Sequence, residues 1–341
     1  MSKNSPSPLP SPEHIFQTLN AHHRTATLKT AIELELFTAI DEGNHSVSDL
    51  AKRLEASERG VRILSDHLVI TGFLAKENSR YRLTEESALF LSKRSPQYLG
   101  TIAEFLTSPH HYENTAHLIE AVRRGGTANP KGHNREPNDD VWVSFARSMA
   151  PITIPAANFI ARTVGGQDAR SVRVLDVAAG HGMYGITIAK HHPKAQITAL
   201  DWPAVLAIAK ENAAKAGVAD RYATLPGSVF EADLGEGYDL VLLTNIFHHF
   251  DQNTCVTLMR RIHQALRSGG RAVTLEFVPN DDRVSPPTEA AFSLLMLMGT
   301  DAGDAYTFAE YHQMFREAGF PETTFHPIPG MPQELLISRK P

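Results

Sequence analysis

The chain has 341 residues, 42 % hydrophobic and 21 % charged, the balance of a globular protein with enough apolar material for two cores. Its net charge of −5 argues against a nucleic-acid coat or an anionic membrane partner. The single cysteine, Cys255, excludes an internal disulfide framework and a cysteine zinc site, and fits a reducing, cytoplasmic setting.

Residues 1–12, rich in Pro and Ser, read as a disordered tail rather than a signal peptide. Ile15, Leu19, Ala26, Ala31, Leu34, Phe37 and Ile40 recur at helical spacing and predict one or two amphipathic helices over 13–41. Ser46 to Asp49 spells a capping box that opens a helix carrying Leu50, Ala51 and Leu54. After a turn at Ala56–Ser57, a second helix carries Val61, Leu64, Leu68 and Val69, and Gly72 stops it. A two-stranded ribbon follows, with Asn78–Ser79 at its turn. Helix, turn, helix, ribbon is a winged helix, and the first domain is set at 13–110. Linking helices and a Gly/Pro-rich interdomain loop (123–140) fill 111–170, with a helix kinked at Pro151.

From 172 the rhythm changes. Strands VRVLDV, QITALD, YATLPG, YDLVLLTNI and RAVTLEF alternate with helices at 183–191, 203–216 and 252–267, the signature of a doubly wound, mainly parallel α/β sheet over 171–341. After a helix at 307–318, TTFHPIPG and ELLISRK form a closing antiparallel hairpin, which a dinucleotide half-domain does not carry. No run approaches the ~20 apolar residues of a membrane span.

The segment VRVLDVAAGHGMYG holds Gly180-x-Gly182-x-x-Gly185, where glycines permit positive φ and let a ligand lie against bare backbone. Asp201, 19 residues past Gly182, is placed to grip ribose hydroxyls, a feature common to NAD and S-adenosylmethionine. Asp176, four residues before Gly180, separates the two: a carboxylate there repels a pyrophosphate but welcomes a sulfonium and an ammonium.

VLDVAAGHG, ALDWP, FEADLGEGYDLVLLTNIFHHFD and GGRAVTLEF resemble class I S-adenosylmethionine-dependent methyltransferases. With the winged helix first, residues 13–341 resemble small-molecule O-methyltransferases shared by plant phenylpropanoid enzymes and bacterial polyketide and pigment tailoring enzymes. The resemblance implies a Rossmann-like domain with a mainly parallel seven-stranded sheet. It also implies a homodimer through the winged-helix domain, with S-adenosylmethionine as cofactor and S-adenosylhomocysteine as product. The implied acceptor is a small aromatic or polycyclic hydroxyl compound.

A phenol is mostly protonated at neutral pH, so transfer to its oxygen needs a base, and histidine titrates in the right range. His248 and His249 follow the strand 238–246 at the ligand edge; by resemblance His248 is the base, and His249 a base or substrate contact. Glu276 matches the carboxylate that orients the imidazole. The family's second carboxylate falls at Ala305 and is missing; Asp304 and Asp301 are the nearest substitutes.

Ser228 stands where relatives carry an aspartate on the adenine, and Thr244 replaces a plant lysine. With Val229, Trp202 and Asn245 they complete the expected cofactor set of Asp176, Gly180, Gly182 and Asp201. Phe145, Met149 and Met296 match pocket positions; Met298, two residues on, points roughly 200° away from Met296. His110 and His111 are either polar pocket contacts or a surface turn. His181, His248 and His249 lack a clustered carboxylate at ligand spacing, so no metal is expected.

Two other functions compete with O-methyl transfer. A relative that binds S-adenosylmethionine but methylates C, N or S, or nothing, would explain the missing carboxylate. A DNA-binding regulator would use the winged helix, but residues 46–84 hold seven Lys/Arg against five Asp/Glu, little charge for neutralising phosphates.

Overall fold

The structure is a computed structural model that describes residues 10–129, 140–165 and 171–341. Most of the expected tail and the centre of the Gly/Pro-rich loop lie outside the described residues. The chain divides into two compact units, one ending at Ala103 and the other beginning at Glu104.

The first unit runs α1 (Glu13–Leu19), α2 (Ala21–Glu33), α3 (Leu36–Asp41), α4 (Val47–Arg53), α5 (Glu58–Ile70), β1 (Leu74–Glu77), β2 (Arg80–Leu83) and α6 (Glu85–Phe90). Ser46 caps α4, its Oγ accepting from Asp49 N at 3.1 Å, though the Asp49 carboxylate takes the Ser46 hydroxyl rather than its backbone N–H. Ser57 caps α5 in the same way, and Gly72 follows at φ +85°. Asn78 and Ser79 both adopt positive φ (48° and 60°), the conformation a two-residue hairpin needs to match strand twist. Leu36, Phe37, Ile40, Leu50, Leu68 and Tyr81 form the sealed core. Ile15 and Leu19 do not join it: with Phe16 they are about 60 % exposed or more, so the apolar stripe of α1 is not buried within this chain.

The second unit is reached through α7 (Ile102–Leu106). It continues α8 (Pro109–Ala116), α9 (Leu118–Arg124), α10 (Asp140–Ser148), α11 (Ala150–Val164), β3 (Val172–Val177), α12 (Met183–His191), β4 (Ala195–Asp201), α13 (Pro203–Lys215), β5 (Tyr222–Pro226) and β6 (Tyr238–Thr244). Then come α14 (Gln252–Ala265), β7 (Leu266–Phe277), α15 (Pro287–Gly299), α16 (Phe308–Glu317), β8 (Thr323–Pro327) and β9 (Gln333–Arg339). The break expected at Pro151 falls at Met149, with Pro151 in the first turn of α11, where its missing N–H costs nothing.

The sheet order is β5-β4-β3-β6-β7-β9-β8, parallel through β7, with β9 antiparallel to both β7 and β8. The expected doubly wound sheet with its antiparallel closing hairpin therefore forms. The strand before that hairpin begins earlier than expected, at Leu266: Ser268-Gly269-Gly270, which reads as a loop, is absorbed as a bulge opposite Tyr238–Leu240. One face buries Val241, Leu258, Ile262, Phe247 and Phe315, mainly from α14 and α16; the other buries Ile160, Ile186, Ile188, Leu206 and Leu335, mainly from α11, α12 and α13. Strand order reverses between β3 and β6, so a crevice opens at their carboxyl ends. The tips of β3, β4, β6 and β7 carry Asp176, Asp201, His248 and Glu276 around it.

Candidate active site

Beyond β3 the chain turns through three left-handed positions, Ala178 (φ 51°), Gly180 (57°) and Gly182 (76°). An added Cβ on Gly182 would overlap the Tyr222 hydroxyl. The turn is held by its own amides: Gly182 N donates to Ala179 O at 2.7 Å, and Ala179 N to Leu200 O at 3.1 Å. Asp201 organises it further, Oδ2 accepting from Gly180 N at 2.8 Å and Oδ1 from Trp202 N at 2.7 Å. The expected ribose contact thus also braces the glycine turn, each oxygen keeping a lone pair for a ligand.

Asp176 lies beneath the turn, fully buried. Its Oδ2 accepts from Gly185 N at 3.0 Å, while its Oδ1 is sealed without a hydrogen-bond partner. A Cβ on Gly185 would press within 2.8 Å of Asp176 Oδ2, which explains the third glycine of the motif. Burial pushes the Asp176 carboxyl up to about 7, against the pull of the Gly185 amide and helped by the Asp201 charge. Burial also raises Asp201 to about 6, against the Gly180 and Trp202 amides. Two carboxylates, one fully buried with an orphaned oxygen and one half-buried, form a poor seat for a diphosphate and a fitting one for a cationic group.

The remaining cofactor candidates are spread around this turn. Trp202 is half-buried at the start of α13 and packs with Trp142, Val143 and Val205; Val229 belongs to the core beneath β6. Ser228 Oγ accepts from Phe230 N at 3.2 Å, and Gly227 N ties the same loop to Asp201 O at 3.0 Å. Thr244 is buried at the end of β6. Asn245 takes positive φ (57°), anchors its N–H on Leu275 O, accepts from Gln333 Nε2 at 3.3 Å and hydrogen-bonds the buried Tyr184 hydroxyl.

His248 follows in a single 3₁₀ turn, Phe247–His249. Its Nδ1 is 2.6 Å from Glu276 Oε2, and Glu276 Oε1 accepts from Phe247 N at 2.8 Å. Both side chains are buried, at 5 % and 0 % exposure. A carboxylate only accepts, so in the neutral imidazole Nδ1 would carry the ring proton and Nε2 the lone pair. Phe247 roots the turn in the core against Tyr311 and Phe315, and the Cys255 thiol donates to Phe247 O at 3.4 Å.

Rings form a series along the crevice. Phe292 meets His248 edge-on at 4.9 Å and stacks on Phe277; His249 meets Trp142 at 5.4 Å; Trp142 leads to Phe145, which stacks on His181 at 6.1 Å. Burial depresses His181 to about 4, and its Nδ1 accepts from Met183 N. Met149 is half-buried at the junction of α10 and α11; Met296 is buried and Met298 half-buried. His110 and His111 sit half-buried in the first turn of α8, not in a surface turn: His110 bonds Asn114, and His111 packs on Phe105, which touches Phe145.

Asp304 is directed elsewhere, its Oδ2 pairing with Arg283 at 3.1 Å, and Ala305 is buried. Gly303 packs directly on the His248 carbonyl, where a side chain would overlap it. Among the described residues no three or more His, Cys, Asp or Glu side chains gather at metal-binding distance.

Residues 158–321 match the O-methyltransferase domain family, and residues 16–93 the O-methyltransferase dimerisation domain. The 3-hydroxy-5-methyl-1-naphthoate 3-O-methyltransferase of Streptomyces sahachiroi is 32 % identical over 88 % of this chain and 86 % of its own length. The chain belongs to the O-methyltransferase family. A solved structure from Nostoc punctiforme, described as a candidate O-methyltransferase, superposes on the enzyme with a TM-score of 0.93 at 46 % identity, over 98 % of this chain and all of that one. PigF with S-adenosylhomocysteine bound superposes at 0.84 with 25 % identity, over 97 % and 100 %. The enzyme is an S-adenosylmethionine-dependent O-methyltransferase of small molecules, and its first unit carries the family's dimerisation domain.

Trp142, Tyr184 and Phe292 surround this site unannounced by any motif. Phe292 alone left a signal, lying one helical turn before Met296 on the same face.

Proposed function

We propose that the enzyme methylates the hydroxyl of an aromatic or polycyclic acceptor, with His248 as general base and Glu276 as the group that orients it. The observation carrying this reading is the buried 2.6 Å contact between His248 Nδ1 and Glu276 Oε2 at the crevice tip. It leaves Nε2 free to take the acceptor's proton, and the adjoining carboxylate stabilises the imidazolium that forms.

S-adenosylmethionine, when bound, supplies a methyl group already activated by the sulfonium. Asp176, Gly180, Gly182, Asp201, Trp202, Ser228, Val229, Thr244 and Asn245 are proposed to hold it, Asp176 facing its positive end. Phe145, Met149, His249 and Met296 are assigned to the acceptor, and the ring series through Trp142 and Phe292 suits a flat partner. With Asp304 paired to Arg283, Glu276 is the carboxylate assigned to orient the base. A homodimer through the first unit is also proposed: the exposed Ile15, Phe16 and Leu19 on α1 are an apolar stripe that a second copy would cover.

The test is His248→Ala, with methyl transfer from labelled S-adenosylmethionine followed across phenols, quinones and polyketides. Turnover should vanish while affinity for S-adenosylmethionine stays within a few-fold. Parallel loss of both would make His248 a structural residue.

A further inference from the structure

Glu289 does not belong to any group described so far. It lies in the first turn of α15, where a carboxylate facing solvent would suit the helix dipole equally well. Instead it is only 8 % exposed, and among the described residues it has no hydrogen-bond or ion-pair partner. Its helix face is the one that meets the base: Phe292 is three residues on and Met296 seven, and the Phe292 ring touches His248. Glu289 therefore stands about 4.5 Å of helix axis from the ring beside the base.

A second carboxylate lies within its electrostatic reach. Glu334, on β9, is opposite Glu276 in the sheet register and is half-buried; its Oε2 accepts from Ile328 N at 3.2 Å. Burial raises its carboxyl above the usual range, and the Glu289 charge raises it further. Arg283, in the segment leading into α15, is committed to Asp304 and Glu310. A buried carboxylate that meets no cation is a natural seat for a bound positive group.

We propose that Glu289, backed by Glu334, is a specificity determinant that binds a cationic nitrogen on the acceptor, distal to the hydroxyl presented to His248. This rests on the reading of the crevice as the acceptor site. The acceptor class is then an aryl compound bearing both a hydroxyl and a protonated amine.

The test uses matched pairs of phenols differing only in a terminal amine or alcohol on a short alkyl arm. Binding to the full-length enzyme is measured by calorimetry with S-adenosylhomocysteine present, so turnover is not required. The amine member should bind about ten- to hundredfold tighter, the size of a charge-assisted hydrogen bond. Glu289→Gln should bring the ratio close to one, and Glu334→Gln should lower it. Equal affinities in the wild type overturn the proposal; a preference that survives in Glu289→Gln overturns it as well. Failure of every phenol to bind would sink the acceptor reading beneath it, a result distinct from binding without preference.

Discussion

Glu276→Gln separates the chemistry of the dyad from its packing. In the wild type Glu276 accepts two hydrogen bonds, from Phe247 N at 2.8 Å and from His248 Nδ1 at 2.6 Å, with no exposure to water. Glutamine has the same shape but one acceptor and one donor at its end. Turned one way, it still serves Phe247 N–H and sets its own N–H₂ against Nδ1. Turned the other way, it opposes a backbone amide that cannot change its protonation. The ring is the group able to yield, by moving its proton to Nε2, and a protonated Nε2 has no lone pair for the acceptor. The loss is then the general-base contribution, about 10²–10⁴-fold in kcat, or roughly 3–5 kcal/mol of barrier. Stability changes little, since packing and one hydrogen bond survive. Glu276→Ala instead leaves two buried donors unmet, at about 1–3 kcal/mol each, and lowers the unfolding temperature too. The assay is single-turnover methyl transfer at saturating cofactor, with thermal unfolding in parallel. A Glu276→Gln enzyme within about threefold of wild-type kcat would refute the orienting role.

Two further outcomes follow from the cofactor turn and from the floor of the base. Asp176 has a folded pKa of about 7 against 3.8 ordinarily, so the folded chain holds its proton more tightly than the unfolded one. Its favourable contribution is complete below about pH 4 and is lost as pH climbs through 7, up to about 4 kcal/mol. Ligand-free Asp176→Asn should therefore be more stable relative to wild type at about pH 8 than at about pH 5 in chemical unfolding, and should bind S-adenosylmethionine more weakly; a pH-independent difference would refute the buried ionisation. Gly303→Ala would push on the His248 carbonyl, and a displaced base should cost about 10²-fold in kcat with S-adenosylmethionine affinity retained; wild-type turnover would show that the turn yields.

The alternation of strands and helices after residue 172, the glycine turn and the placing of acids and histidines at strand tips were legible in the chain itself. These are local matters: period-2 and 3.6-residue patterns and the conformational demands of turns act over a few residues, and parallel topology carries every such tip to one edge. Asp176 and Asp201 could be named for that reason, and His248 and Glu276 with the help of the family resemblance. Four features came only from the folded molecule. These are the second use of Asp201 as a brace for Gly180, the diversion of Asp304 to Arg283, the exposure of Ile15 and Leu19, and the isolation of Glu289. Each depends on what a distant segment brings alongside, and helical spacing alone cannot say whether an apolar stripe or a first-turn acid meets a core, a partner or water. Sequence determined which chemistries stand at the crevice; tertiary packing decided which of those groups are already satisfied and which still lack a partner.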